Sequence, residues 1–267
     1  MEKLKPTDAW DDQTPRDPLD YAVSVRDKDV LSMVRTALAT DNCKLAMQPV
    51  RAAQAGYPVA FHECLIRVMD DTGRIIPAAQ FMGQIENTSL GRDIDAASLR
   101  LAFRLLKRMP DLRLSVNVSA RSLGDAAWRR VLDEELRSRD LHVDRMILEI
   151  SEDSAMQLPE VVIRFMEEMQ PYGLTFALDD FGAGLTAFRY LKDFFFDLVK
   201  VDSHFIRNIH QDPDNQVLAE ALITVAHQFE MFAVAEGIES QAEANFLMSI
   251  GVDCLQGYHF GVPTFTI

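Results

Sequence analysis

Eight short apolar runs, separated by helical patterns, constrain the fold of this chain more than any other feature. Several runs are rich in β-branched residues and too short to be helices. Repeated alternation of strand and helix favours a parallel α/β architecture, and eight strands in 267 residues favour a closed barrel over an open sheet. The sequence alone does not settle closure. The runs cover residues 44–50, 60–68, 112–119, 145–150, 174–178, 198–201, 231–235 and 254–260.

Helical patterns fill several segments between these runs. Pro159 and Pro213 each fit the first turn of a helix. Ser240 is a suitable N-cap with Glu243 three residues later, which forms a capping box, and Gly251 ends that helix. Four helices are therefore predicted, over residues 92–109, 159–172, 213–229 and 241–250.

The beginning of the chain differs in composition from the rest. Residues 1–28 are polar, rich in Asp and Pro, and without steady periodicity, so we expect a tail or a loosely docked arm. No low-complexity tract and no Gly/Ser linker interrupts the remainder. Residues 29–267 are therefore expected to form one domain.

The balance of charges excludes several classes of function. The chain has 41 Asp and Glu residues against 27 Lys and Arg, a formal net charge of −14. Polymeric nucleic acid binds basic surfaces, so we do not expect it as a partner. No apolar run approaches the ~18–20 residues that cross a membrane, and the first six residues are not followed by the apolar segment of a signal peptide. Three distant cysteines without a CxxC pair support neither a disulfide framework nor a cysteine–zinc site. We therefore expect a cytoplasmic protein.

Polar side chains lie in or directly after seven consecutive apolar runs. Because the carboxyl ends of barrel strands converge on one mouth, where active sites are built, we expect these side chains to meet there. Taken singly, each could be a solvated loop residue, a helix cap or part of a surface ion pair. Only their occurrence on seven runs in succession favours a shared site. They are Glu63, Arg67, Asn117, Glu149, Glu152, Asp179, Asp180, Lys200, Asp202, Glu236, Glu239 and Gln256.

The acidic members of this set predict a bound metal. Several carboxylates at one point repel strongly unless cations lie between them. Carboxylate and amide oxygens suit hard ions such as Mg²⁺ or Mn²⁺. Zinc is disfavoured because no histidine occupies these positions, and strand alternation places His62 on the face opposite Glu63. The same alternation places Cys64 beneath the helices, as a core residue and not a nucleophile.

The glycine-rich segment 180–184 (DFGAG) resembles a phosphate-binding loop only superficially. It lacks the Lys-Ser/Thr of a Walker A loop and the spacing of a dinucleotide fingerprint. We expect a flexible loop whose glycines permit tight turns and gating.

Seven ordered motifs together resemble those of a known family. The first is similar to Glu-Ala-Leu-x-Arg, the signature of the EAL family of cyclic di-GMP phosphodiesterases. The resemblance covers about residues 44–263. The motifs are ECLIR (63–67), NVS (117–119), EISE (149–152), DDFGAG (179–184), KVD (200–202), AEGIE (235–239) and QGY (256–258).

The resemblance implies a modified TIM-type (β/α)₈ barrel, in which the first strand runs antiparallel to the others. It also implies hydrolysis of cyclic di-GMP to linear 5′-pGpG, which lowers the level of this bacterial second messenger. The water would be activated by two ions, Mg²⁺ or Mn²⁺. By the same resemblance, the first ion is held by Glu63, Asn117, Glu149 and Asp179. The second is held by Asp179, Asp180 and Glu236.

The resemblance assigns further roles around these ions. The catalytic residues are Glu63, Lys200 and Glu236, with Lys200 in contact with the attacking water or the phosphate. The acceptor of the water proton stays open: Glu236 is a candidate, and Lys200 would have to be neutral to serve. The substrate contacts are Gln48, Arg67, Asp202 and Gln256. The loop-stabilising residues are Glu152 and Glu239.

The sequence departs from the family pattern at a few positions. Cys64 replaces the usual Ala, and GAGLTA at 182–187 replaces Gly-Thr-Gly-Tyr/Phe-Ser-Ser, which removes two hydroxyls and puts loop ordering and dimer-coupled regulation in question. No implied metal ligand is missing, which favours an active enzyme. The main alternative is a receptor that binds cyclic di-GMP without cleaving it, and a third is a metal barrel acting on another phosphodiester. A homodimer is expected from the family only.

Overall fold

The eight predicted strands form a closed barrel, and one additional strand lies beside it. The structure is a computed structural model that describes residues 30–70, 72–138, 143–184 and 188–266. Around the barrel the order is β1-β9-β8-β7-β6-β5-β4-β2, closed by pairing of β1 with β2. The strands are β1 (Cys43–Ala52), β2 (Val59–Met69), β3 (Ile75–Pro77), β4 (Leu114–Asn117), β5 (Met146–Ser151), β6 (Thr175–Phe181), β7 (Leu198–Val201), β8 (Phe232–Ala235) and β9 (Cys254–Leu255).

The direction of β1 agrees with the modified barrel that the motifs implied. It pairs antiparallel with both β2 and β9, whereas the barrel pairs from β2 through β4 to β9 are parallel. The short β3 pairs antiparallel with the end of β2. The carboxyl ends of the seven parallel strands therefore point to one mouth.

All four predicted helices are confirmed, with ends within a few residues of the prediction. They begin at residues 89, 159, 213 and 241. Pro159 and Pro213 occupy first-turn positions, and both hydrogen bonds of the capping box between Ser240 and Glu243 are present. The helices are α1 (30–39), α2 (Met82–Ile85), α3 (Ser89–Arg108), α4 (Ala126–Leu136), α5 (Glu152–Gln157), α6 (Pro159–Met169), α7 (Phe188–Leu191), α8 (Ser203–Ile206), α9 (Pro213–Gln228) and α10 (Gln241–Ser249).

The last predicted strand was too long. The run 254–260 forms a strand only over Cys254–Leu255, after which the chain turns. Gly257 passes so close to the preceding loop that a Cβ there would lie 2.1 Å from the carbonyl oxygen of Ile238. The tail or arm predicted for residues 1–28 lies outside the described residues.

The core has two parts, and they decide which side chains face the site. Inside the barrel lies a small apolar cluster, whereas a much larger layer fills the space between barrel and helices. Cys64 belongs to the outer layer and is 2% exposed, which confirms that it faces away from Glu63. Among the described helices, none combines the length and apolar character needed to cross a membrane. The inner cluster consists of Val50, Phe61, Ile147, Ala177, Leu198 and Val234.

Candidate active site at the barrel mouth

The strand register places predicted site residues side by side. Asn117 at the end of β4 is the direct neighbour of Glu149 on β5. Gln48 on β1 is the direct neighbour of Glu63 on β2. Because neighbouring strands lie about 4.8 Å apart, these pairs face the same space above the inner apolar cluster.

Lys200 is the centre of the site. Its side chain is 1% exposed, and its Nζ lies 2.6 Å from Oε1 of Glu236 and 2.7 Å from Oε2 of Glu149. Asp179 Oδ1 at 3.3 Å and Glu63 Oε2 at 3.4 Å complete the group. Four acidic side chains from four different strands or strand ends therefore surround one ammonium group.

Amides hold the Glu63 carboxylate from both sides. Asn117 donates its Nδ2–H to Oε1 at 3.0 Å, and Gln256 donates its Nε2–H to Oε2 at 2.5 Å. The Gln256 amide also approaches Oε1 of Gln48 at 3.3 Å, and Gln48 donates to the carbonyl of Gly261 at 3.0 Å. This chain of amides fixes the orientation of Glu63 and connects β1 to the site.

Burial and mutual repulsion set the protonation of this cluster. Burial raises the pKa of Glu149 to about 8, with Lys200 opposing the shift. Burial also raises the pKa of Glu236 well above its usual value. Burial would lower the pKa of Lys200, but the carboxylates around it, Asp179 first, hold that pKa well above its usual value. Burial acts to raise the pKa of Glu63, yet the Lys200 charge and the hydrogen bonds of the amides leave that pKa lowered.

Asp179 and Asp180 both reach the mouth, although consecutive strand residues normally point to opposite faces. The register between β6 and β7 shifts between Leu178 and Phe181, and Asp180 has φ 57° in the left-handed region. Oxygens of Asp179, Asp180 and Glu236 consequently lie within 4.8 Å of one another. Burial, and next the Asp179 charge, raise the pKa of Asp180 to about 6.

This donor set fits divalent cations. The converging atoms are carboxylate and amide oxygens, which are the ligands of hard ions. Oε1 of Glu149 is buried and has no hydrogen-bond partner among the described residues, so it is available as a ligand. Raised pKa values at Glu149, Asp180 and Glu236 also fit, because cations stabilise the deprotonated carboxylates that repel one another without them.

Two cavities adjoin the carboxylates. The first cavity has about 400 Å³ and is lined by Asn117, Glu149 and Asp180. The second cavity has about 340 Å³ and is lined by Glu63 and Lys200. Asp179 lines both. A ligand whose reacting group lies at the carboxylates can therefore extend into either cavity, as a molecule with two large end groups requires.

The loop after β6 is anchored by Glu152. Its Oε2 accepts the backbone N–H of Gly182 at 3.0 Å, and Glu152 itself is 2% exposed. Gly182 has φ 93°, which a residue with a side chain adopts only with strain. Residues 185–187 of this loop lie outside the described residues.

Three predicted residues lie at the edge of the site. Arg67 follows Glu63 on the same face of β2 and donates to the carbonyl of Ile66 at 3.0 Å. Asp202 caps α8 and lines a smaller cavity of about 250 Å³ together with Asp180. Glu239 is exposed and lines the second cavity, so its loop-stabilising role stays a prediction.

Sequence reasoning overlooked three residues near the mouth. Glu243, read only as part of a capping box, also accepts the backbone N–H groups of Asn208 and Glu239 at 2.8 Å. Asp95 on α3 is 6% exposed and holds the segment after β4. Arg207 lines the second cavity. Only Asp95 had a detectable signal, as an acid close to the apolar stripe of a predicted amphipathic helix.

A TIM-like barrel with one antiparallel strand and a cluster of carboxylates at its mouth defines the class of this protein. Residues 31–263 match the model of the EAL domain. The chain belongs to the EAL domain family.

Curated relatives are about 30% identical to this chain over the residues that align. Cyclic di-GMP phosphodiesterase PdeB of Shewanella oneidensis is 30% identical over 236 residues, which are 86% of this chain and 28% of that protein. Cyclic di-GMP phosphodiesterase NbdA of Pseudomonas aeruginosa is 30% identical over 235 residues, which are 86% of this chain and 30% of that protein. The chain spans about a third of the length of the curated relatives it matches.

Solved structures share the fold. The PaMucR phosphodiesterase in complex with c-di-GMP superimposes with a TM-score of 0.76 at 27% identity, covering 88% of this chain and 97% of that one. The FimX EAL domain of Pseudomonas aeruginosa bound to c-di-GMP gives a TM-score of 0.81 at 24% identity, covering 89% of this chain and 97% of that one. At the latter identity, the likeness concerns the fold alone.

Proposed function

We propose that this chain hydrolyses cyclic di-GMP to linear 5′-pGpG with the help of divalent cations. The observation that carries the proposal is the carboxylate cluster around Lys200 at the mouth of an EAL-family barrel. The names of the relatives support the substrate, as does the bound ligand of the MucR phosphodiesterase. The two adjoining cavities suit the two nucleoside halves of a cyclic dinucleotide.

The cations would be Mg²⁺ or Mn²⁺, two for each site. They supply Lewis-acid activation of a water molecule and neutralise charge on the phosphate. The first would be held by Glu63, Asn117, Glu149 and Asp179. The second would be held by Asp179, Asp180 and Glu236.

The chain's own side chains position the reactants. Lys200, whose pKa the surrounding carboxylates hold above its usual value, donates to the attacked phosphate or to the attacking water. Glu236 lies within 2.6 Å of Lys200 and is our candidate for taking the water proton once it is deprotonated. The water oxygen forms a bond to phosphorus while the bond to one 3′ oxygen breaks, and the leaving oxygen takes up a proton. The single linear product carries a 5′ phosphate at one end and a free 3′ hydroxyl at the other.

Four further residues would hold the substrate. Arg67 lies where a charged donor can contact a phosphate beside Glu63. Gln256 would contact the phosphate after its amide leaves Glu63, to which it donates at 2.5 Å. Gln48 supports Gln256 through its side-chain oxygen. Asp202 is engaged as the cap of α8 and would act from the smaller cavity.

The test is incubation of the purified protein with cyclic di-GMP and Mg²⁺ or Mn²⁺, followed by chromatographic separation of products. We expect pGpG from the wild type, none from Glu63→Ala, and unchanged turnover from Glu160→Gln, an exposed acid on α6. Binding without pGpG would favour the receptor alternative. Turnover of another phosphodiester alone would favour the third candidate.

Two further expectations from the sequence stay proposals, the first from composition and the second from the family resemblance. Residues 29–267 would form a single domain, and the protein would be a homodimer. Limited proteolysis tests the first, and sedimentation equilibrium across a concentration series tests the second.

A further inference from the structure

The second cavity is acidic, yet an arginine lies at its edge. Its lining includes Glu63, Asp179, Glu236 and Glu239. Arg207 lines the same space and is exposed. An anionic ligand that enters this cavity meets net negative charge unless a cation compensates.

Lys200 cannot compensate the negative charge along the whole ligand. It is 1% exposed, and four carboxylates surround its ammonium group. Among the described residues that line the second cavity, Arg207 is the one exposed cation. Within the described part of the chain its guanidinium has no hydrogen bond or ion pair, so all five N–H donors are available.

The backbone that carries Arg207 is held in place. Its N–H bonds to the carbonyl of Ser203 at 3.1 Å, at the end of α8. The next residue, Asn208, has φ 54° and donates its N–H to Oε1 of Glu243 at 2.8 Å. These hydrogen bonds fix the backbone at Arg207 and Asn208. The Arg207 side chain therefore extends from a fixed position, which favours a defined contact with a ligand.

We propose that Arg207 binds the second phosphodiester of the cyclic dinucleotide, the one that is not cleaved, and so positions the substrate. This inference rests on the proposed function. A cyclic dinucleotide carries two phosphodiesters, and only one can lie at the carboxylate cluster. The other remains a monoanion within an acidic cavity, where a guanidinium can bind its two free oxygens with two parallel hydrogen bonds.

The experiment compares Arg207→Gln and Arg207→Lys with wild type and with Arg164→Gln, an exposed arginine on α6. Dissociation constants are measured by calorimetry in Ca²⁺ for two ligands: cyclic di-GMP, and linear GpG, which has a single phosphodiester. Turnover of cyclic di-GMP is measured in Mn²⁺. We expect Arg207→Gln to weaken binding of cyclic di-GMP by about tenfold or more and that of GpG by about twofold at most. KM should rise while kcat changes by about threefold at most, and Arg207→Lys should recover part of the affinity.

The outcomes separate this inference from the proposed function. If wild type produces pGpG but Arg207→Gln keeps its affinity for cyclic di-GMP, the role of Arg207 is overturned and the activity stands. Equal losses of affinity for cyclic di-GMP and GpG also overturn it, because they would show that the charge of Arg207 acts on both ligands alike and not on the second phosphodiester. If wild type neither binds nor cleaves cyclic di-GMP, the proposed function fails and the inference with it.

Discussion

Nζ of Lys200 lies 2.6 Å from Oε1 of Glu236, and both atoms are at the centre of the barrel mouth. Three more carboxylates lie within 3.4 Å of the same ammonium group. Removal of one partner from a buried ion pair typically costs about 3–5 kcal/mol because the remaining charge is left without compensation. Lys200 therefore contributes to the fold as well as to the proposed chemistry.

Lys200→Met should lower the free energy of unfolding by about 3 kcal/mol in EDTA at pH 8. The loss should shrink towards pH 5, because the raised pKa values of Glu149 and Glu236 mean that these groups are then protonated and repel less. Mn²⁺ should restore more stability in the variant than in wild type. Urea denaturation at the two pH values, with and without Mn²⁺, measures all three effects.

Lys44→Met is the matched control, because Lys44 lies on β1 with an exposed side chain. It should leave the free energy of unfolding unchanged within about 0.5 kcal/mol. A Lys200→Met protein as stable as wild type in EDTA would show that the cluster is not held together by this charge.

Much of the site could be predicted from the sequence because its residues interrupt apolar runs. Strand alternation places Glu63 on the face opposite Cys64, and Cys64 lies in the outer apolar layer as expected. Strand alternation alone would place Asp179 and Asp180 on opposite faces. Both reach the mouth because the strand is irregular there and Asp180 adopts a positive φ. Their joint role was implied by resemblance and could not have been worked out from periodicity.

Other features could not be predicted because their signals are short or distant. The strand β3 has three residues and α8 has four, which is too short for a repeating apolar pattern to be recognised. The amide chain from Gly261 through Gln48 and Gln256 to Glu63 links positions up to 213 residues apart. Such contacts depend on barrel closure, which the sequence favoured but did not establish.

Glu152→Ala should loosen the loop that follows Asp180. The backbone N–H of Gly182 loses its acceptor at 3.0 Å, while most of the fold is untouched. We expect the Mn²⁺ concentration for half-maximal turnover to rise about tenfold, at a cost in stability of about 1–2 kcal/mol. Turnover against Mn²⁺ concentration and thermal unfolding measure the two effects separately.

Glu152→Gln provides a conservative comparison, because its amide oxygen can accept the same N–H. Its stability and its Mn²⁺ concentration for half-maximal turnover should both lie between those of wild type and Glu152→Ala. Glu167→Ala, on the exposed face of α6, serves as the surface control. An unaltered metal response in Glu152→Ala would remove the anchoring role.

Calcium should inhibit turnover in the presence of Mg²⁺. Ca²⁺ prefers oxygen ligands at about 2.3–2.6 Å, against about 2.0–2.1 Å for Mg²⁺, and accepts looser geometry. Oxygens from Asp179, Asp180 and Glu236 lie within 4.8 Å of one another, close enough to share one cation, and the larger Ca²⁺ would hold them in a looser arrangement. Titration of Ca²⁺ into the Mg²⁺-supported reaction measures the effect, and full activity in Ca²⁺ alone would contradict a tight site.

Asp95 supports the segment that follows β4, next to Asn117. Its Oδ2 accepts the N–H of Ser119 at 3.0 Å and the hydroxyl of Ser122 at 2.6 Å. Burial raises the pKa of Asp95 from 3.8 to about 6, and these two hydrogen bonds offset only part of that effect. The folded protein therefore keeps a proton on Asp95 between about pH 4 and 6, where the unfolded chain has lost it.

This difference makes stability fall as pH rises through that window. At about 1.4 kcal/mol for each pH unit, the cost above pH 6 is on the order of 3 kcal/mol. Asp95→Asn removes the charge, and its amide oxygen can accept both hydrogen bonds, so the variant should be more stable than wild type by about 1–3 kcal/mol at pH 8. Near pH 4 the gain should vanish, because Asp95 is then neutral in the folded wild type. Urea denaturation of both proteins from pH 4 to 8 measures the slope, and a difference in stability that does not change with pH would show that folding leaves the pKa of Asp95 unshifted.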